Sequence, residues 1–254
     1  MSSEIIILCI AAFAAGFVDA VVGGGGLIQT PATLITLPQY QLATLLGTTK
    51  IPSLFGASIA AVQYSLKVKV NWKLLIIMCG IALVAAFAGS KTVAVVSNTF
   101  MKPVLFCVLI IVAIYTYAKK DFGLTVTKSI SKNKEIVYAL LFALLIGFYD
   151  GFIGPGAGSF MVLFFISVLG YDFLKASAHS KLLNVSTNIG SILYFSSNGH
   201  ILYQYAIPMA LFNFTGSLLG SKLAILKGNK FIRIFFLIVV AATIIRFGYD
   251  IFLK

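Results

Sequence analysis

The feature that most constrains the fold is an aspartate followed by four glycines, inside an apolar run long enough to enter a membrane. Asp19 lies near the end of the run Ile5–Val22, and Gly23–Gly26 follow directly. A charge at membrane depth is costly, and consecutive glycines interrupt a helix. Such a stretch is tolerated only where protein or a water-lined cavity surrounds it. We therefore expect a broken helix with a polar interior.

The composition indicates that lipid is the solvent for much of this chain. Of its 254 residues, 60% are hydrophobic and only 10% are charged, whereas a soluble domain has roughly 25% charged residues. The apolar residues form continuous runs and do not alternate with polar ones, which argues against a transmembrane β-barrel. We expect an all-α, polytopic helical protein that crosses the cell membrane several times.

The formal net charge of +12 does not indicate a nucleic-acid partner in this context. Most basic residues lie in short segments between apolar runs, as expected of loops that face anionic lipid on the cytoplasmic side. The lipid bilayer is therefore the macromolecular surface that these charges fit.

The glycine-rich motif returns in the second half of the chain, where Gly147–Gly158 contain Asp150. The two halves align without a net gap at a constant offset of 131 residues, the separation of Asp19 and Asp150. Polar positions match at this offset as well, namely Tyr40 with Tyr171, Lys50 with Lys181, and Gly89–Lys91 with Gly220–Lys222. Chance similarity between apolar runs would not match these residues. We predict two copies of one structural unit, each with a helix broken at its glycine-rich motif.

The repeat divides the chain into three parts. Residues 1–118 form the first membrane repeat, residues 119–135 a basic cytoplasmic linker with five lysines, and residues 136–254 the second repeat. Each repeat holds five apolar segments, which are Ile5–Val22, Leu27–Gly47, Ile51–Leu66, Leu74–Ser90 and Pro103–Ala118, then Ile136–Ile153, Gly158–Gly170, Leu182–Phe195, Ile201–Gly220 and Phe231–Tyr249.

The distribution of loop charge predicts that the two repeats have opposite orientations in the membrane. The loop Lys67–Lys73 has three lysines, and its counterpart Asn198–Gln204 has neither lysine nor arginine. The connector Lys91–Lys102 has two basic residues, and its counterpart Lys222–Arg233 has four. By the positive-inside rule, this swap indicates inverted repeats with an odd number of crossings each. The alternative is a parallel arrangement in which Leu27–Gly47 and Gly158–Gly170 re-enter without crossing.

Asp19 and Asp150 are candidates for proton coupling, because they occupy equivalent positions ahead of the two glycine clusters. Burial disfavours the charged form of a carboxyl group and a nearby lysine favours it, so such a group can be set to exchange protons. The alternative is that each carboxylate caps a broken helix end. Of the two, we expect Asp150 to be the principal proton carrier, because the second copy is more polar around it.

The glycine breaks and the matched lysines together predict an anion site. The free N–H groups of a half-helix that starts after a break would point at an anion, and close packing through small residues is the alternative. Lys50 and Lys181 would supply two cations, unless they extend to the membrane interface. The predicted substrate-binding residues are Gly23, Gly24, Gly25, Gly26, Gln29, Thr48, Thr49, Lys50, Gly154, Gly156, Gly158, Ser159, His179, Ser180, Lys181 and Asn184.

These motifs resemble the sulfite exporter TauE/SafE family of integral membrane proteins. The resemblance covers nearly the whole chain, and its most specific part is the Gly-Pro-Gly sequence at Gly154–Gly156 with the preceding Asp150. The family is associated with export of small sulfur oxyanions and organosulfonates, so the resemblance implies a transporter of small anions. The first copy has no proline at the position of Pro155, so the two halves need not bind alike.

We therefore expect a secondary transporter that moves a small anion, a sulfur oxyanion or an organosulfonate, by rocking of two inverted halves. An anion channel is the main alternative, because it could use the same donors without alternating closure. A membrane-embedded enzyme is the other alternative, but the sequence contains neither a nucleophile elbow, nor a Cys/His metal set, nor a catalytic acid with a partner base. We expect no metal and no cofactor, and the sequence leaves homo-oligomer formation open.

Overall fold

The computed structural model describes residues 3–93 and 131–252, and these are helical with short connections. The first half contains α1 (Ser3–Val22), α2 (Gly26–Thr36), α3 (Leu42–Ser65) and α4 (Trp72–Thr92). The second half contains α5 (Lys132–Phe152), α6 (Ala157–Ser167), α7 (Phe173–Ser197) and α8 (Tyr203–Phe252), with α8 interrupted at Gly228. The predicted segment Pro103–Ala118 lies outside the described residues. Residues 119–130 of the predicted linker do so as well, and its last residues belong to α5.

The helix starts follow the internal repeat. Helices α2, α3 and α4 start at Gly26, Leu42 and Trp72, and α6, α7 and α8 each start 131 residues later. The alignment of the sequence halves therefore has a counterpart in the order and position of the helices.

Five described helical segments are long and apolar enough to cross a membrane, namely α1, α3, α4, most of α5 and the part of α8 up to Ile232. Their outward faces carry large exposed apolar side chains, such as Ile10 on α1, Leu145 on α5 and Leu211 on α8. These side chains match the chemistry of lipid tails. The protein is therefore a multi-pass membrane protein, as its composition predicts.

Helix α7 is also 25 residues long, but it is not among these apolar segments. It carries a series of buried polar side chains from Ser177 to Ser191, and it packs against α3, α4 and α6. Because protein surrounds α7, its polar residues do not have to face lipid.

Each glycine-rich motif ends one helix and starts a shorter one. Gly23 and its counterpart Gly154 have left-handed backbones, with φ of 79° and 85°. Only glycine adopts this conformation routinely, so α1 and α5 end here. The helices that follow, α2 and α6, have 11 residues each, which corresponds to about 16 Å at about 1.5 Å per residue. Both predicted helix breaks are thus present.

The predicted apolar segment Leu27–Gly47, which Pro31 and Pro38 interrupt, is divided between two helices. Helix α2 ends at Thr36, and α3 already starts at Leu42. Similarly, α7 starts at Phe173, well before the predicted segment Leu182–Phe195. Lys50 and Lys181 therefore lie inside helices and not ahead of them. A lysine is tolerated in the middle of a buried helix only when its charge is paired.

The helices of one half pack mainly on those of the other. Helix α1 runs parallel to α8. The Cβ position of Gly216 would meet the carbonyl oxygen of Phe13, and that of Gly220, four residues later, would meet the carbonyl oxygen of Phe17, also four residues later. Helix α5 runs parallel to α4 in the same way, with Gly151 directly against the backbone of Ala86. Equivalent helix pairs thus use the same small-residue packing.

The equivalent helices α3 and α7 run antiparallel. Near the start of α3, the Cβ position of Gly47 would lie 2.9 Å from Cβ of Phe195, close to the end of α7. In the loop after α3, the amide of Asn71 donates to His179 Nε2, in the first part of α7, over 3.2 Å. The chain direction of the third helix is therefore opposite in the two copies.

Helix α2 returns the chain to the end of the molecule where α1 begins. Leu37, directly after α2, shares a buried cluster with Leu8 of α1 and Leu45 of α3. Near the other end, the hydroxyl of Tyr64 on α3 donates to the carbonyl of Ala20 on α1 over 2.8 Å. Helices α1 and α3 are thus parallel, and the segment between them runs back. These directions favour the inverted arrangement over the parallel one, and the orientation in the membrane stays a prediction.

Cysteines placed at Lys69 and Gln204 test that orientation. Both side chains are exposed, and the two positions lie in the loop between α3 and α4 and at the start of α8. We expect an impermeant thiol reagent to label them from opposite sides of the membrane, with Lys69→Cys labelled from the cytoplasm. Labelling of both positions from one side would contradict the inverted topology.

The close contact of α4 and α5 gives a second prediction, about stability. A Cβ at Gly151 would lie 2.0 Å from the carbonyl oxygen of Ala86. We expect Gly151→Ala to lower the free energy of unfolding by about 1–3 kcal/mol through overpacking. Gly80→Ala on α4 is the matched control, because nothing lies within 4 Å of its Cβ position, and it should be neutral or stabilising. Equal unfolding midpoints of the two variants in mild detergent would refute this account.

Candidate functional site

The two glycine-rich motifs contact each other in the interior of the protein. The Cβ position of Gly23 would lie 2.3 Å from the carbonyl carbon of Gly158, and that of Gly26 would lie 3.0 Å from Cα of Pro155. Backbones approach this closely only where side chains are missing. The glycines therefore bring the ends of α1 and α5 together with the starts of α2 and α6.

A small cavity of about 40 Å³ lies at this junction. Both copies contribute to its wall, which consists of Asp19, Gly23, Gly26, Gln29, Thr30, Leu46, Thr49, Lys50, Ser53, Asp150, Ile153, Gly154, Pro155, Gly156, Gly158, Asn184 and Asn188. A cavity of this size holds a few water molecules or a small ion, since one water needs about 10–15 Å³ by this measure.

Two ion pairs cross between the copies beside this cavity, and they are reciprocal. Lys50 of the first copy pairs with Asp150 of the second, with Nζ 2.9 Å from Oδ1. Lys181 of the second copy pairs with Asp19 of the first, with Nζ 2.6 Å from Oδ2. The two lysines are equivalent positions of the repeat, and so are the two aspartates. Neither lysine reaches the membrane interface, because the Lys50 and Lys181 side chains are only 7% and 1% exposed.

The Asp150 carboxylate is held by several donors. Its Oδ1 accepts from Lys50 Nζ, which also donates to the Asp150 carbonyl over 2.6 Å. Its Oδ2 accepts from Asn184 Nδ2 over 3.2 Å and from the hydroxyl of Thr187. With a side chain that is 4% exposed, Asp150 is a buried and well-satisfied carboxylate.

The Asp19 carboxylate has fewer partners and is more open. Besides Lys181, it accepts a hydrogen bond over 3.3 Å from the amide of Gly25, which precedes α2. Its side chain is 18% exposed, and it forms part of the cavity wall. The carboxylate thus occupies the position at a helix N-terminus that favours an anion.

This difference has a simple origin in the sequence. At the offset of the repeat, Asn184 and Thr187 correspond to Ser53 and Gly56, so the first copy lacks the amide and the hydroxyl that hold Asp150. A larger residue does not fit at Gly56, because its Cβ would lie 1.9 Å from Oδ1 of Asn213. The packing of α3 on α8 therefore leaves Asp19 with the weaker set of donors.

Gln29 connects the cavity wall to the surrounding helices. Its Nε2 donates to the carbonyl of Thr49 over 3.1 Å, and its Oε1 accepts from Asn213 Nδ2 over 2.8 Å. Both functions of the amide are thus used for positioning, and Gln29 holds α2 between α3 and α8. The exposed fraction of Gln29 is 1%.

The cavity wall includes most, but not all, of the predicted site residues. Eleven of them line it, namely Asp19, Gly23, Gly26, Gln29, Thr49, Lys50, Asp150, Gly154, Gly156, Gly158 and Asn184. Gly24, Gly25, Thr48, Ser159, His179, Ser180 and Lys181 are not part of the wall. Gly25 and Lys181 still act on the site, since both donate to the carboxylate of Asp19.

Three of the other predicted residues make contacts within the fold. The Ser159 hydroxyl donates to the Val22 carbonyl at the end of α1 over 3.1 Å. Thr48 accepts from the Leu202 amide over 3.0 Å, and so connects α3 to the start of α8. His179 lies between the Asn71 amide and the Lys175 carbonyl, beside the rings of Phe165 and Tyr171.

The predicted set of substrate-binding residues does not include several polar residues of the site. Thr30, Ser53 and Asn188 line the cavity, and Thr187 binds Asp150. Thr187 and Asn188 lie three and four residues after Asn184 on α7, a helical spacing that places them on one face of the helix. No comparable sequence pattern marks Asn213, because it lies in an apolar stretch of α8 and reaches Gln29 only through tertiary packing.

The site balances two positive charges with two negative charges inside the protein. With all four groups ionised, Lys50, Lys181, Asp19 and Asp150 sum to zero. Buried charges require such pairing, because an isolated charge in a low-dielectric interior is strongly disfavoured. Among the described residues, no three His, Cys, Asp or Glu side chains are grouped so as to hold a metal ion. The two pairs therefore keep this part of the interior neutral when all four groups are ionised.

Comparison with known proteins identifies the family. The model of the family described as sulfite exporter TauE/SafE matches residues 8–247. The chain is 38% identical to a probable membrane transporter protein, ORF9, of a Sinorhizobium species, over 94% of this chain and 90% of that protein. It is 34% identical to the probable membrane transporter protein YfcA of Escherichia coli K12, over 96% and 89%.

A further relative, a probable membrane transporter protein of Haemophilus influenzae, is 36% identical over 90% of this chain and 88% of that protein. No solved structure matches the chain significantly. The relatives are described as membrane transporters and not as enzymes, and the match extends over both repeats. The chain therefore belongs to the sulfite exporter TauE/SafE family and is a multi-pass membrane transporter.

Proposed function

We propose that this transporter moves a small anion, a sulfur oxyanion or an organosulfonate, across the cell membrane by alternating access. The observation that carries the proposal is the cavity at the junction of the two helix breaks, where both copies contribute charged residues. Transporters built from repeats typically bind substrate at such breaks, near the middle of the membrane.

The chemistry of the cavity wall fits an anion. Lys50 supplies an ammonium group and Asn184 an amide at the wall, and the wall includes Gly26, the first residue of α2, and Gly158 near the start of α6. N–H groups at helix starts and lysines both bind oxyanions. The cavity volume of about 40 Å³ excludes large substrates in this state. A sulfonate or sulfite group has oxygens that match several donors at once.

The opposed helix directions support alternating access. The antiparallel α3 and α7 carry Lys50 and Lys181, and each of these two lysines binds an aspartate of the opposite half. Movement of one half against the other would therefore change both ion pairs together. Asp19 and Asp150 are the groups through which we expect a proton gradient to drive this movement.

Transport in liposomes tests the proposed function. We expect the purified protein to mediate saturable flux and counterflow of sulfite or of a small organosulfonate such as methanesulfonate. Empty liposomes give the background. An anion channel would instead give conductance without counterflow. If none of the sulfur anions offered is transported, the proposed substrate class is wrong.

The Lys50–Asp150 pair gives a prediction about stability. Lys50→Met leaves a buried carboxylate without its cation, and we expect it to lower the free energy of unfolding by about 3–5 kcal/mol. Lys50→Met with Asp150→Asn removes both charges and should restore part of that loss. Lys69→Met, in an exposed loop, is the control and should have little effect. If the free energy of unfolding of the double variant is no higher than that of Lys50→Met, the two side chains are not coupled in the way that their 2.9 Å contact indicates.

A further inference from the structure

The Asp19 carboxylate occupies a position that an anionic substrate would use. It accepts from Lys181 Nζ over 2.6 Å and from the Gly25 amide before α2 over 3.3 Å. An ammonium group and a helix-start amide are the donors expected for a bound oxyanion. Here they are taken up by a side chain of the protein itself.

Asp150 does not have this freedom. Lys50, Asn184 and Thr187 all donate to its carboxylate, and its side chain is 4% exposed, against 18% for Asp19. Releasing Asp150 would break three contacts in a closed environment. Both carboxylates are part of the cavity wall, but releasing Asp19 breaks only two contacts. Because its side chain is also the more exposed, Asp19 is the carboxylate that can change its partners.

We propose that Asp19 is an internal competitor of the substrate, and that its protonation transfers Lys181 and the Gly25 amide to the substrate anion. This inference rests on the proposed function and assigns the exchangeable proton to one residue. With both groups ionised, the carboxylate of Asp19 neutralises Lys181. An arriving anion replaces that carboxylate only when the carboxylate has lost its charge.

The charge balance of the site requires this coupling. Two lysines and two ionised aspartates leave no net positive charge for an anion. Protonation of Asp19 leaves one positive charge in excess, which matches a singly charged anion. Binding of the anion and binding of the proton therefore promote each other by the same factor.

The other charged groups around Asp19 leave Lys181 as its direct partner. On α3, Tyr64 donates to the carbonyl of Ala20, and Lys50 pairs with Asp150 across the cavity. On α8, the side chains of Lys222, Lys227 and Lys230 are exposed. On α7, Lys175 lies over the Tyr171 ring, and His179 contacts the Asn71 amide and the Lys175 carbonyl. Helices α2 and α6 carry no charged residues. A change in the protonation of Asp19 thus acts first on Lys181.

Calorimetry on the purified full-length protein tests the proposal with methanesulfonate as the probe. The charge of this sulfonate does not change between about pH 5 and pH 8, so any pH dependence comes from the protein. We expect affinity to rise as pH falls, by up to about tenfold per pH unit. In buffers of different ionisation enthalpy, binding should take up close to one proton per anion.

Two variants locate the proton. Asp19→Asn cannot ionise, so it should bind methanesulfonate with an affinity independent of pH and without proton uptake. Glu4→Gln removes the other carboxylate of α1, which accepts from the Tyr205 hydroxyl and does not line the cavity, and it should retain the proton uptake of the wild type. If either variant fails to fold, the proton uptake measured for the wild type still tests the proposal by itself.

The outcomes separate the two proposals. Wild-type binding without proton uptake would overturn the role of Asp19 and leave the proposed function standing. Retained proton uptake in Asp19→Asn, or loss of proton uptake in Glu4→Gln alone, would overturn that role as well. If neither methanesulfonate nor thiosulfate binds the wild type at any pH, the proposed substrate class is itself wrong.

Discussion

The pairing of buried charges between the two halves is the interaction on which the rest of the structure depends. Two lysines and two aspartates lie in an interior where an unpaired charge would be strongly disfavoured. Each lysine is satisfied only by the aspartate of the other copy, as the Lys50–Asp150 and Lys181–Asp19 contacts show. Neither half could therefore bury its own charges alone. This requirement holds the halves together and places their charges next to the cavity.

The glycines make that pairing geometrically possible. Left-handed backbones at Gly23 and Gly154 end α1 and α5 inside the protein, and the absence of side chains lets the two motifs touch. Small residues elsewhere serve the same purpose at helix contacts, as at Gly151 against Ala86. A membrane protein cannot rely on hydrophobic burial to join its helices, since lipid is equally apolar. Close backbone contact and paired charge take over that role.

The repeat is symmetric in its helices but not in its polar groups. Thr187 and Asn184 hold Asp150, while the first copy has Gly56 and Ser53 at their positions. Both carboxylates line the cavity, but that of Asp150 is almost fully buried and that of Asp19 is more open. We infer that duplication supplied two equivalent charge pairs and that divergence of the surrounding side chains made one of them exchangeable. One pair would then hold the shape of the site, and the other would change its charge.

The sequence by itself determined the helical membrane class, the internal repeat, both helix breaks and most of the residues around the cavity. These follow from local chemistry, namely apolar runs, glycine clusters and matched polar positions. Only the tertiary structure decided which lysine binds which aspartate, since Lys50 and Asp150 are 100 residues apart in the chain. It likewise decided that Asp19 is the more open of the two carboxylates, whereas the sequence only made Asp150 the first candidate for the proton carrier. That difference depends on Asn213 of α8, which leaves no room for a side chain at Gly56 of α3. Contacts between helices that are distant in the chain leave no periodic signal in a single sequence.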